Sequence, residues 1–274
     1  MSVRLYSAKS LVFGMILSTC FYASAVTAAT VDEVLKQYYP LYNSANQCQG
    51  AIAHSGSVNG LTDEPYLTGY CMSIDRQVEV KTPNGKRLYV LVTGDNRFDE
   101  NGDKSLSGHA YSGHVGMFVL KPQNKGWQIE SANNNLNAGA SGQGLQGWKL
   151  IAVAPTKWGF VNEHSDVHQG YLESSLIVLV PVGNSIVESM INSQFNDAAT
   201  GQCGESNQPK CEDITAKLYQ VDTGELINGF HPLKLMVNGN KDGKTYKNKV
   251  YTSYYKSGKG YQMPDGYPLK NEWD

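Results

Sequence analysis

Apolar and polar positions along most of this chain either alternate or run together in short blocks, and both patterns belong to strands. In "QVEVKTPNGKRLYVLV", Val78 and Val80 alternate with polar residues, a Pro-Asn-Gly-Lys turn follows, and an unbroken apolar run fills Leu88–Val92. That is a hairpin signal. "GHVGMFVLKPQNKGWQIES" predicts a second hairpin turning near Gln123–Lys125, and "PLKLMVNGNKDGKTYKNKVYTSYY" another turning within Asn238–Gly243. "GWKLIAVAP" and "SSLIVLVPV" read as further buried strands. A helical pattern opens the part that follows the leader. There Thr30 and Glu33 make a capping box, Val31, Val34, Leu35 and Tyr38 share one face, and Pro40 stops the helix. Asn/Gly/Ser-rich sequence then leads through two cysteines to about Tyr70. Together these elements predict a mainly β fold: an antiparallel β-sandwich or barrel-like domain with a short N-terminal helix.

Three stretches carry more than one reading. Residues 185–195 hold a capping box, Ser185-x-x-Glu188, with Val187, Met190, Ile191 and Phe195 at helical spacing, yet they also alternate as a strand. "FVLKPQNKGWQIES" and "LIVLVPVGNSIVES" share a Val-Leu-x-Pro strand end, a turn and a closing Glu-Ser, and each follows a pair of histidines. This similarity raises an internal duplication of hairpin units around 109–131 and 164–189. "SANNNLNAGASGQGLQG", Ser131–Gly147, has no charged residue and reads as a long irregular connection.

The chain start changes the setting of all this. Arg4 and Lys9, the apolar "LVFGMIL" and the small residues of "ASAVTAAT" form an export signal spanning 1–29, cleaved after Ala25, Ala28 or Ala29. "LSTC" resembles a lipidation box ending at Cys20, but Thr19 stands where a smaller residue is wanted. The remaining residues 30–274 read as a single exported β-rich domain, with no later stretch apolar enough to span a bilayer. Removing the leader takes two basic residues from 23 and no acids from 25, so 21 against 25 leaves a net charge of −4. Mild acidity argues against nucleic acid as a partner. Four cysteines remain, Cys48, Cys71, Cys203 and Cys211. An even count in an exported chain predicts two disulfides, and the spacing favours Cys48–Cys71 and Cys203–Cys211 among the three pairings.

Candidate chemistry gathers at a few places. "GFVNEHSDVHQGY" puts His164, Asp166 and His168 within five positions. As an extended strand, successive side chains on one face stand about 6.7 Å apart and the two histidines about 13 Å. That is too far for one ion at bonds of about 2.0–2.1 Å without a bend. "SGHAYSGHVG" offers His109 and His114, and a site assembled from both stretches would suit zinc, with Glu163 as a base in a metal-dependent hydrolase. "DNRFDENGDKS" resembles a calcium loop with Asp99, Asn101 and Asp103. Arg97, however, occupies the first ligand position and no glutamate closes the loop. "GQGLQG", 142–147, matches a dinucleotide glycine pattern but is followed by a strand, not a helix. No Gly-x-Ser-x-Gly elbow is present.

The C-terminal run interleaves Lys247, Lys249 and Lys256 with Tyr251, Tyr254 and Tyr255. Tyrosine supplies a stacking face and a hydroxyl and lysine attracts anions, so this run is the candidate binding surface for an envelope protein, a glycan or an anionic lipid surface. The bland counterpart is an edge hairpin whose lysines discourage self-pairing. The sequence thus implies a periplasmic or secreted binding protein of a bacterial envelope, with the metal-dependent hydrolase as the competing class.

Overall fold

A computed structural model describes residues 30–55, 66–99, 101–104 and 111–270. The predicted export signal, Cys20 and His109 lie outside the described residues. Helix α1 (Val31–Tyr38) begins as the capping box requires: the Thr30 hydroxyl accepts from the Glu33 backbone N–H, and the Glu33 carboxylate accepts from Thr30 N at 2.7 Å.

Two antiparallel sheets follow. The first takes β1 (Leu41–Asn43), β2 (Cys48–Ser55), β3 (Tyr66–Thr82), β4 (Gly85–Asp99), β5 (His114–Gln123) and β6 (Gly126–Asn137), paired strictly in chain order. The second takes β7 (Lys149–Ala154), β8 (Lys157–His168), β9 (Tyr171–Val182), β10 (Ser185–Asn196), β11 (Asp213–Val221), β12 (Leu233–Lys241) and β13 (Lys244–Ser253), again in chain order. A two-stranded ribbon, β14 (Tyr255–Lys256) with β15 (Gly260–Tyr261), is the last regular structure among the described residues. Neither sheet closes on itself. The fold is therefore a mainly β, sandwich-like arrangement of two meanders, with a single short α-helix among the described residues.

The unbroken apolar runs have a simple cause. On β4, Leu88, Val90 and Val92 face α1 together with Tyr70, Phe118 and Leu120, while Tyr89 and Leu91 face the second sheet. On β9, Ile177 and Leu179 meet that same inter-sheet layer, whereas Leu176, Val178 and Val180 face away from it. Both strands are covered on both faces, so alternation disappears from their sequences. The outer face of the second sheet is closed by the chain's last part, where Tyr255, Tyr261, Tyr267 and Leu269 pack with Phe230. Two of these tyrosines are tied to backbone: the Tyr261 hydroxyl donates to His231 O and that of Tyr267 to Asn192 O, both at 2.8 Å.

The predicted hairpins are present. The first turns at Pro83-Asn84, the second at Asn124-Lys125 and the last at Asp242-Gly243. Residues 185–195 are strand: β10 pairs with β9 along its length and with β11 at its end, and Ser185 closes a tight turn on Val182 instead of capping a helix. The long loop is shorter than its composition suggests, because Ser131–Asn137 pairs with β5. Residues β2, the start of β3 and β11 are strands where the sequence reading has loop or makes no assignment. The two similar segments both form two-residue hairpins, and they meet. Ser131 Oγ donates to Gly183 O at 2.7 Å, and Ala132 N to Asn184 O. Both predicted disulfides are formed, Cys48–Cys71 tying β2 to β3 and Cys203–Cys211 closing the loop before β11.

Candidate functional site

A groove lies along the outer edge of β13. It encloses about 750 Å³ and is lined by Lys249, Val250, Tyr251 and Thr252 of that strand, by Tyr254–Lys256, by Gln262–Asp265 and by Ile227-Asn228. Four consecutive strand residues can line one groove only if it runs along the strand's edge, since alternate side chains point to opposite faces. β13 is the terminal strand of its sheet, so that edge has no partner strand among the described residues.

The far wall is built by the turn after β13. The Ser253 hydroxyl donates to Gln262 O at 2.6 Å and Gln262 N donates to Tyr254 O at 3.0 Å, which folds the β14–β15 ribbon back across the strand end. Asn228 Nδ2 donates to Tyr255 O at 2.8 Å and fixes the Ile227-Asn228 side. The tyrosines divide their labour. Tyr255, at 3% exposure, stacks on Phe230 with ring centroids 4.0 Å apart and belongs to the core. Tyr251 meets Tyr267 edge to face at 5.4 Å. Tyr254 is 45% exposed, and Val250 beside it is 41% exposed. Burial pushes the Tyr251 and Tyr255 hydroxyls above the ordinary tyrosine value, so both keep their protons at neutral pH.

Of the residues predicted to bind, Lys249, Tyr251, Tyr254 and Tyr255 thus line one groove, with Tyr255 as its buried backing. Lys247 is exposed on β13 but does not line it. Sequence reading missed the opposite wall, Ile227-Asn228 and Met263–Asp265. Met-Pro-Asp-Gly at 263–266 is a turn signal that places a chain reversal beside the Tyr-rich run.

Among the described residues, the metal candidates His114, His164, Asp166 and His168 do not gather into one cluster. His114 opens β5 in the first sheet, 2% exposed, with Nε2 against Asn134 O at 2.8 Å and its ring stacked on Tyr70. His164, Asp166 and His168 lie on extended β8 of the second sheet, where His168 is paired opposite Tyr171 at the strand end. Glu163 Oε1 accepts from the Ser193 hydroxyl at 2.7 Å. Among the described residues one trio of metal-ligating types gathers, Asp197 with Cys203 and Cys211. Its sulfurs are joined in a disulfide, and Asp197 Oδ1 accepts from Glu212 N. In the calcium-like loop, Asp99 Oδ1 accepts from Asn101 N at 2.9 Å and from Asp103 N at 3.0 Å, the bonding of an ordinary Asx turn. Gly142–Gly147 is irregular and leads into β7, not into a helix.

Smaller cavities are also present. One of about 430 Å³ sits in the curl of the second sheet between Ile151, Val161, Leu176 and Leu218. One of about 290 Å³ lies beside the bidentate Arg87–Glu130 pair, and one of about 320 Å³ lies under α1. No described helix is long and apolar enough to cross a membrane. Comparison with families of known proteins, with curated proteins and with solved structures finds no match.

Proposed function

We propose that this chain is an exported envelope protein that acts by binding, and that the groove along β13 is its contact site. The observation that carries the reading is the groove itself. It combines about 750 Å³ of open space, an exposed Tyr254 ring, amide groups from Asn228 and Gln262, and the ammonium groups of Lys249 and Lys256 beside a single lining acid among the described residues, Asp265. Its size falls within the range of specific binding sites, and its mix of aromatic, apolar and a few polar groups is theirs as well. The two disulfides support an oxidising compartment.

The test is cosedimentation of the purified protein, residues 30–274, with isolated bacterial envelopes. Saturable binding is expected, weakened at least tenfold by Lys249→Glu with Lys256→Glu and by Tyr254→Ala. Binding that ignores all three substitutions would overturn the assignment of the groove. N-terminal sequencing of the protein purified from its native host is expected to begin between residues 26 and 30, and an intact Met1 would overturn export.

A further inference from the structure

Resting on the groove as the contact site, we infer that its occupant is an extended, acidic polypeptide segment that adds to the free edge of β13 as an eighth strand of the second sheet. The reasoning begins with what the edge offers. In an antiparallel pair, alternate residues direct their backbone N–H and C=O toward the partner, and the residues between them direct theirs outward. β12 occupies the inner side of β13, and the outer side faces the groove at residues 249–252. A strand edge with no partner strand among the described residues, set at the floor of a walled groove, is a template for strand addition.

The register confines that template. The β12–β13 pairing breaks between Val237 and Gly239, and Asn248 there takes φ +50° with its N–H on Asn238 Oδ1 at 2.8 Å. A bulge of this kind twists the strand locally. It divides β13 into a short turn-proximal piece and a regular run from Lys249 to Ser253. Only the second piece coincides with the groove, which gives an incoming strand about four residues of edge, or roughly 13 Å.

Charge selects the sign of the occupant. Lys244, Lys247 and Lys249 recur along β13, and Lys256 stands at the groove's end. Two copies of this chain pairing edge to edge would set these lysines against one another, a destabilising arrangement, whereas a strand carrying Asp or Glu would meet them favourably. The same residues therefore exclude the chain's own edge and admit an acidic one. A glycan fits less well. Sugar recognition by stacking needs exposed ring faces, and of the three lining tyrosines Tyr255 is buried against Phe230 and Tyr251 is half-buried in edge-to-face contact with Tyr267. Tyr254 alone of the three is exposed, and it stands beside a backbone edge that a glycan would leave unmatched.

The probe is a fluorescein-labelled eight-residue peptide alternating Glu with Val or Thr, measured by anisotropy against the protein of residues 30–274. Two controls accompany it: the same peptide with Lys for Glu, and the acidic peptide with N-methyl groups on alternate amides. Saturable binding of the acidic peptide is expected, with at least tenfold loss on N-methylation of one edge and no binding of the Lys peptide. Lys249→Glu with Lys256→Glu should reverse that preference. Amide exchange at the outward-facing alternate residues within 249–252 should slow at least tenfold in the complex. Equal binding of parent and N-methylated peptides would overturn strand addition while leaving the groove as the site. So would peptide failure combined with Tyr254-dependent binding of an acidic oligosaccharide, for which tetragalacturonate serves as probe. Binding of neither probe, together with groove-independent envelope binding, would remove both this inference and the reading beneath it.

Discussion

Removing each disulfide should cost different amounts, and the difference follows from the loops they close. Cys48–Cys71 joins residues 23 apart and Cys203–Cys211 residues 8 apart. A cross-link that acts by restricting the unfolded chain is worth about 3.4 kcal/mol for the longer loop and about 2.5 kcal/mol for the shorter at 25 °C. The first bridge joins strands that are also paired through their backbones, β2 with β3 from Gln49–Met72 to Ser55–Tyr66. Its loss should therefore appear through the unfolded state, as a lower stability with a steeper denaturant dependence, because a freed chain exposes more surface. The second bridge holds a surface loop before β11 that also has Gly204 N on Pro209 O and Glu212 N on Asp197 Oδ1. Freeing it invites local opening before global unfolding, which lowers its share of the global free energy further. The assay is urea unfolding, followed by tryptophan fluorescence, of Cys48→Ala with Cys71→Ala against Cys203→Ala with Cys211→Ala. The first variant is expected to lose about 1 kcal/mol more than the second. If the short-loop variant loses as much or more, chain entropy does not govern these bridges. Thiol titration of the denatured, unreduced protein of residues 30–274 should find none free. Four free thiols would remove the premise altogether.

Three further outcomes follow from particular side chains. Burial holds the His114 imidazole below the ordinary value of 6.5, so the unfolded chain takes up the proton first as pH falls. Stability from this residue is full above about pH 6.5 and is lost below it. The urea midpoint of the wild type should fall over that range, and His114→Gln should flatten the dependence; an equally steep curve in the variant would refute it. Gly239 adopts φ +124°, and a Cβ there would stand 2.1 Å from Asp213 O, so Gly239→Ala should cost upward of about 1 kcal/mol in the same unfolding assay. Because His164 and His168 project from an extended strand about 13 Å apart, elemental analysis of the purified protein should find zinc well below one per chain, and chelation should leave its unfolding midpoint unchanged.

What was legible in the sequence depended on how many faces of an element are buried. β4, β5 and β9 announce themselves as blocks of Leu, Val, Ile and Phe because each is covered on both sides, and the short helix announces itself because its cap is written in side chains, Thr30 and Glu33. Among the described side chains of β2, the buried apolar ones are the small Ala51 and Ala53, so its alternation carries little hydrophobic contrast. β10 presents the opposite problem. Ser189 and Ser193 are buried among its apolar residues, because Ser189 receives the Tyr261 N–H and Ser193 donates to Glu163, and those polar members blur the period of two.

The groove was half legible for a related reason. One wall is a contiguous stretch of β13 and the residues after it, and its Lys/Tyr pattern stands out in the chain. The other wall is assembled from Ile227-Asn228 and Met263–Asp265, which the Asn228–Tyr255 and Ser253–Gln262 hydrogen bonds bring across the strand end. Composition alone therefore could not separate a lysine-guarded edge from a binding edge, since both place lysines and tyrosines on β13. The distinguishing fact is the second wall. A guard needs only charge, whereas a groove needs chain folded back to oppose the strand, and here specific side-chain hydrogen bonds hold that chain in place.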